Sequence, residues 1–302
     1  MSHNAEVLQL TKLTNSPSVH AGTLWKSVAI LLLLAWLYIR LVGGLVFQWW
    51  HDPNFSHGFF VPAFSLYLLW LKRDRLRSLP IARSWLGLPI LLAGLGLLVI
   101  GNLGAELFLA RFSFLLVIAG LVICFLGWEH QRELLFPWLF LIVMIPIPAI
   151  VFNQITFPLQ LLASRLASGI LPLANVPVLR QGNIIQIPAM ALEVAEACSG
   201  IRSLLSLVTL TIIYGYLMET KLAIRLVLGL ASIPIAVLAN SLRIVGTGLM
   251  VQYWNPEKAE GFFHLFSGWL IFVVSLLLVF GLHKLLRTFW RERVLFHAVQ
   301  PI

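Results

Sequence analysis

Four side chains in this sequence have the types and spacing to do chemistry together: Cys198, Arg202, Arg243 and His264. Cys198 lies in the stretch Glu-Val-Ala-Glu-Ala-Cys-Ser-Gly-Ile-Arg-Ser-Leu-Leu-Ser, residues 193–206, where a polar, acidic run meets a long apolar segment. Ser199 or Gly200 starts the helix there, and Arg202 falls one turn inside it. Cationic neighbours and a helix N-terminus both favour thiolate over thiol. The plainer reading is a small apolar filler at 198 and an arginine that snorkels to the interface. Which residues return to the same membrane depth later in the chain decides between the two.

The depth argument rests on what the composition requires. The 302 residues are 60% hydrophobic and 11% charged, with a mean hydropathy of +0.92. Soluble domains are about 45–50% apolar and roughly a quarter charged. The chain is therefore expected to be an all-α polytopic membrane protein, and its net charge of +9 reads as topology, not as a nucleic-acid footprint. Of the two cysteines, Cys124 lies mid-span between Ile123 and Phe125 and reads as inert packing. The first 20 residues are polar, with no apolar core and cleavage site of the signal-peptide kind.

Apolar runs predict eight spans in a single integral membrane domain, with a polar tail over 1–24, a membrane core over 25–285 and a basic tail over 286–302. The spans fall at 25–47, 58–71 (short for the roughly 20 residues a span needs), 85–101, 108–127, 134–152, 198–217, 222–250 and 264–285. The segment 153–175 is apolar but broken by Gln154, Pro158, Gln160, Arg165 and Pro172, and is expected to be re-entrant or to lie along the outer surface. Residues 176–197 read as extended structure, with Gly182-Asn183 as a turn between β-branched residues. With the N-terminus inside, this arrangement puts fourteen Lys and Arg residues on inside segments. Four lie outside (Arg111, Arg165, Arg180 and Lys258), and Arg40, Arg202 and Arg243 lie within spans. The positive-inside rule then predicts both termini in the cytoplasm and the loop 176–197 outside.

From Cys198 to the turn near Thr220 is about 22 residues, roughly 33 Å of helix. From Lys221 to Arg243 is about the same, so the hairpin returns Arg243 to the depth of Cys198. His264 opens the last span from that same side. An arginine inside a span is costly and is a functional candidate by default. A thiolate that attacks a carbonyl, a histidine that shuttles protons and a fixed cation that stabilises the oxyanion would make an acyl-transfer site. Ser199 ranks below Cys198 as nucleophile, because a thiol ionises far more readily. No zinc-type Cys/His spacing and no phosphate-binding glycine loop is present, so no metal or cofactor is expected.

Glu-Ala-Cys-Ser-Gly-Ile-Arg-Ser (196–203), Asn240-Ser-Leu-Arg243-Ile and Phe263-His264-Leu-Phe-Ser-Gly-Trp269 together resemble the exosortase/archaeosortase family. Ser56-His57-Gly58-Phe59-Phe60-Val61-Pro62 and Leu66-Tyr67-Leu68-Leu69-Trp70 are similar to the same family, in order, over about residues 25–285. A histidine at 264 places the chain with the bacterial branch. The resemblance implies a membrane-embedded cysteine transpeptidase or protease in the bacterial inner membrane, its site facing the periplasm. Its substrates would be exported proteins with a C-terminal sorting signal: a short Pro-Glu-Pro motif, a transmembrane helix and a basic tail. Cys198, Arg243 and His264 would be catalytic, with Arg202, Asn240, Glu196, Ser199 and His57 in substrate-binding or supporting roles. The chain ends soon after the last span, so a member without an extra C-terminal domain is expected. The competing function is a non-catalytic membrane protein of envelope polysaccharide or lipid-linked sugar handling, in which Arg202 and Arg243 bind anionic groups.

Overall fold

The computed structural model describes residues 21–194, 200–254 and 262–298. Helix α1 (Ala21–His51) runs through the boundary between two units, residues 1–45 and residues 46–302. In the second unit a 3-10 turn, Pro53–Phe59, is capped by the Asp52 carboxylate, which accepts from Asn54 N–H. It leads into α2 (Phe60–Leu71) and the short polar α3 (Arg73–Ser78). Then follow α4 (Gly87–Leu103), α5 (Leu107–Phe125), α6 (Trp128–Glu133) and α7 (Leu135–Phe140), the last continued by a 3-10 turn at Leu141–Met144. Next come α8 (Ala149–Ile170), a 3-10 turn at Leu171–Ala174, and strands β1 (Leu179–Gln181), β2 (Ile184–Ile187) and β3 (Met190–Glu193). The chain closes with α9 (Gly200–Met218), α10 (Leu222–Tyr253) and α11 (Phe262–Ala298). This is an all-helical polytopic membrane fold carrying one small antiparallel sheet in the order β1-β2-β3.

Among the described residues six helices are long and apolar enough to cross a membrane, where the sequence suggested eight; Gly87–Leu103 and Leu135–Met144 are apolar but shorter. One boundary needs correction. The run 134–152 is not a continuous span, because Pro146 and Pro148 end the helix after Met144 and a new helix begins at Ala149. Residues 153–170, expected to be re-entrant or on the surface, continue that new helix without a break despite Pro158.

Helices α4 and α5 pack closely because α4 presents Gly87, Gly94 and Gly101, seven residues apart, to Gly120, Val117 and Ala110 of α5. Small residues let helix backbones approach where lipid offers no hydrophobic drive between helices. The ends of α2 and α6 are tied together: Lys72 Nζ lies 3.1 Å from Glu133 Oε1, and Arg75 Nε lies 3.0 Å from Glu133 Oε2. Burial alone would raise the Glu133 pKa, but the Lys72 hydrogen bond and the charges of Lys72 and Arg75 hold it below the usual carboxylate value. At the α9–α10 turn, the Glu219 carboxylate accepts from the Lys221 and Thr220 N–H groups. These bonds, the Lys221 one foremost, lower its pKa. The same carboxylate lies 3.4 Å from His283 Nε2, and His283 Nδ1 lies 2.7 Å from the Tyr214 hydroxyl, so α9, the turn and α11 are joined at that end.

Helix α10 has 32 residues, about 48 Å of helix against a hydrocarbon core of about 30 Å. Its C-terminal half packs with α8 and the sheet in one core that includes Ala163, Ala167, Leu171, Ile185, Leu192, Val237 and Ile244. Leu171 packs closely on Gly248, where a Cβ would stand 3.0 Å from its Cδ2, and the Tyr253 hydroxyl donates to Ala174 O at 2.6 Å. Helix α8 thus runs beside the C-terminal half of α10, with Leu171 against Gly248 and Ala174 against Tyr253. The expected turn at Gly182-Asn183 joins β1 to β2, with Gly182 at φ +64°, a region that favours glycine.

Candidate functional site

The site is framed by two fixed ends of chain. On one side β3 leads to Val194, which is 2% exposed and whose N–H donates to Asn183 O at 3.0 Å. On the other, Gly200 opens α9. Glu196, Cys198 and Ser199 lie between them, outside the described residues.

Both ends meet α10. Val194, Ile201, Leu204 and Leu205 line a cleft whose far wall is Ala236, Val237 and Asn240 of α10, and whose third side is α8. The cleft is open on one side and mostly apolar. Three polar side chains enter it: Thr156 and Gln160, four residues apart on α8, and Asn240. From the α9–α10 turn to Asn240 is about 28 Å of helix, so the cleft sits near the membrane face opposite that turn.

Arg243, one turn beyond Asn240, is 5% exposed. Its guanidinium lies against Gly268 of α11, where a Cβ would stand 3.3 Å from Nη2, 3.4 Å from Cζ and 3.5 Å from Nη1. The absence of a side chain at 268 is what gives the guanidinium its seat. Arg243 also borders a second cleft with Gly246, Thr247, Met250 and Ser267. His264 lies in α11 one turn before Gly268, and its side chain is outside the described set.

His57 sits in the 3-10 turn Pro53–Phe59, 7% exposed, in a segment that packs against α9. Burial pulls its pKa below the ordinary histidine value, and the backbone of Val143 and Asn54 partly offsets this. Arg202 is exposed, while its neighbours Ile201, Leu204 and Leu205 face the cleft. The described structure thus brings Asn240 and the start of α9 to one cleft, seats Arg243 one turn from His264 along α11, and leaves Arg202 on the outer face of α9. Among the described residues no group of three or more His, Cys, Asp or Glu is placed to hold a metal ion.

No role was expected for Thr156 or Gly268, and Gln160 stood out only as a break in an apolar run. A pair of polar residues four apart on an apolar helix was the available signal for Thr156 and Gln160. Gly268 lies inside a recognised motif, but its partner, 25 positions away, shows only in the fold.

The family model for transmembrane exosortases matches residues 49–281 of the chain. The match includes the 3-10 turn of His57, the cleft, Arg243 and the start of α11. Comparison with curated proteins gives no match, and comparison with solved structures gives none either.

Proposed function

The chain belongs to the transmembrane exosortase family, and on that premise we propose that it is a cysteine transpeptidase or protease that cleaves C-terminal sorting signals of exported proteins. The observation that carries the reading is the seat of Arg243. A buried guanidinium, fixed against Gly268 one turn from His264, faces the level at which α9 opens two residues after Cys198. An arginine held inside a span is costly and is a functional candidate by default, and its charge is permanent over the working pH range.

In this mechanism the Cys198 thiolate attacks the carbonyl carbon of the scissile peptide bond. Arg243 stabilises the oxyanion that forms. As the C–N bond breaks, His264 gives a proton to the departing amine, leaving a thioester on Cys198. Water or an acceptor amine then attacks the thioester carbonyl and returns the thiolate. Burial alone would disfavour the thiolate; Arg243, protonated His264 and the N-terminus of α9 offset that. Asn240 lines the approach, and Glu196 and Ser199 keep substrate-binding or supporting roles. His57 supports α9 from behind, and Arg202, on the outer face of α9, is kept as a supporting residue that either holds the acidic residue of the sorting motif or lowers the thiol pKa.

The substrate class is an exported protein with a Pro-Glu-Pro motif, a transmembrane helix and a basic tail. We place both termini in the cytoplasm and the site on the periplasmic face of a bacterial inner membrane. In support, the Lys72–Glu133–Arg75 tie puts the end of α2 and the start of α7 on one side. The charge count supports the same orientation only if the segment of α8 adds no crossing, and we read that segment as re-entrant or lying along the outer surface. A reporter inserted after Gly182 should read as periplasmic, and a cytoplasmic signal would overturn the orientation.

The deciding experiment is trapping. Enzyme and precursor are incubated together, and the enzyme is mapped for a hydroxylamine-sensitive adduct. The adduct is expected on Cys198 and absent in Cys198→Ala. An adduct on another residue, or normal processing by Cys198→Ala, sinks the mechanism.

A further inference from the structure

We propose that the cleft between α8, α9 and α10 is the subsite for the first turn of the substrate's transmembrane helix, with Thr156, Gln160 and Asn240 as hydrogen-bond acceptors for that turn's free N–H groups. The inference rests on the sorting-signal reading above and adds what recognises the segment just beyond the cut.

A helix that begins inside an apolar environment carries four N–H groups with no intrahelical partner. In water they are solvated. At membrane depth each must be met by the protein or remain unsatisfied at a cost. A protease that cuts immediately before a membrane helix therefore has to accept such a helix start, or unwind it, in a dry place. The cleft has the matching chemistry. Its walls, Ile201 and Val237 among them, are apolar and suit side chains of a membrane helix. Its polar groups are few and converge from two sides: Thr156 and Gln160 stack one turn apart on α8, and Asn240 faces them from α10. Each offers an oxygen that can accept from an N–H. Thr156 is 7% exposed and lines this apolar cleft.

The position also fits. Ile201 lines the cleft three residues after Cys198, and Asn240 lies one turn before Arg243. A peptide whose scissile carbonyl sits between Cys198 and Arg243 can extend on its C-terminal side directly into this space. A lipid acyl chain, the other occupant of an apolar slot in a bilayer, would fill the walls but has no donor for three acceptors.

The test uses the full-length protein in phospholipid vesicles. The probe is a precursor made of a reporter domain, a Pro-Glu-Pro motif, a 20-residue Leu/Ala helix and a basic tail. A photo-crosslinking residue replaces Gln160 in the Cys198→Ala background, so that binding is read without turnover. The expected product is a crosslink to the first four residues of the probe's helix, and none from the same residue placed at Leu226, near the opposite end of α10. In the active protein, Thr156→Val and Asn240→Leu should each slow processing about tenfold, the scale of one unmet buried N–H. A probe whose first helical residue is proline, lacking one such N–H, should be less sensitive to one of them. A crosslink found only on phospholipid, or on the middle of the probe's helix, overturns the subsite even where the thioester on Cys198 forms. A crosslink to the first turn without any thioester keeps the subsite and removes the catalytic reading instead.

Discussion

Gly268 is the sharpest point at which to press the proposed site. The Arg243 guanidinium occupies the space a side chain at 268 would fill, with contacts to a hypothetical Cβ of 3.3–3.5 Å. Carbon and nitrogen atoms rest about 3.5–4.0 Å apart, so Gly268→Ala requires the guanidinium to retreat by about 0.3 Å. A misplacement of about 1 Å costs about 10²-fold in rate; scaled logarithmically, alanine should slow processing about fourfold. Gly268→Leu pushes three more carbons into the same volume and should approach the full loss of an oxyanion partner, about 10²–10³-fold or about 2.7–4 kcal/mol. Alanine in place of a helical glycine also stabilises a helix by about 0.5–1 kcal/mol, so Gly268→Ala should lose activity without losing stability. The assay is pulse-chase conversion of precursor, with thermal unfolding of the purified protein alongside and Gly281→Leu as control, since nothing lies within 4 Å of a Cβ at 281. In the Arg243→Ala background Gly268→Leu should add little, because the two act through one group. A folded Gly268→Leu protein that processes at more than half the wild-type rate, or a loss that adds to that of Arg243→Ala, refutes the reasoning.

Gly87→Ala should lower thermal stability, by roughly 1–3 kcal/mol, because its Cβ would meet Gly120 O and Cys124 N at 2.5 Å; Gly96→Ala, with nothing within 4 Å, should not. Ile185→Ala, at a fully buried position of β2, should cost about 2–5 kcal/mol and slow processing too, since the same core holds Val194. His283→Ala should loosen the α9–α10 turn from α11, read as faster hydrogen exchange at Glu219–Lys221 and lower thermal stability. Glu133 and Glu219 both have pKa values below the ordinary carboxylate value. Their contribution is therefore present above about pH 4.3 and is lost as pH falls through the lower folded values; unfolding temperature should be level from pH 8 to 5 and drop below 4, less steeply in Glu133→Gln.

Much of this was legible in the sequence because the bilayer imposes simple rules. Apolar length marked most of the crossing segments, and the turn at Gly182-Asn183 marked the hairpin. What misled was a run of apolar residues read by length alone. Residues 134–152 are apolar enough to span, yet Pro146 and Pro148 divide them, and the helical length passes to Ala149–Ile170. Hydropathy reports the solvent a segment prefers, not where its backbone hydrogen bonds stop.

The sequence by itself determined that the chain lives in a membrane and which residue types could do chemistry at one face. It also carried the family, through motifs that the match over residues 49–281 covers. Only the tertiary structure decided who sits beside whom. The seat of Arg243 against Gly268, the convergence of Thr156 and Gln160 with Asn240, and the exposure of Arg202 on the outer face of α9 depend on helix rotation and on contacts across 25 to 84 positions. Periodicity places a residue along its own helix axis. Which neighbour that face meets is set by packing, through close approaches such as Gly268 on Arg243 and Gly248 on Leu171, and no local pattern encodes it.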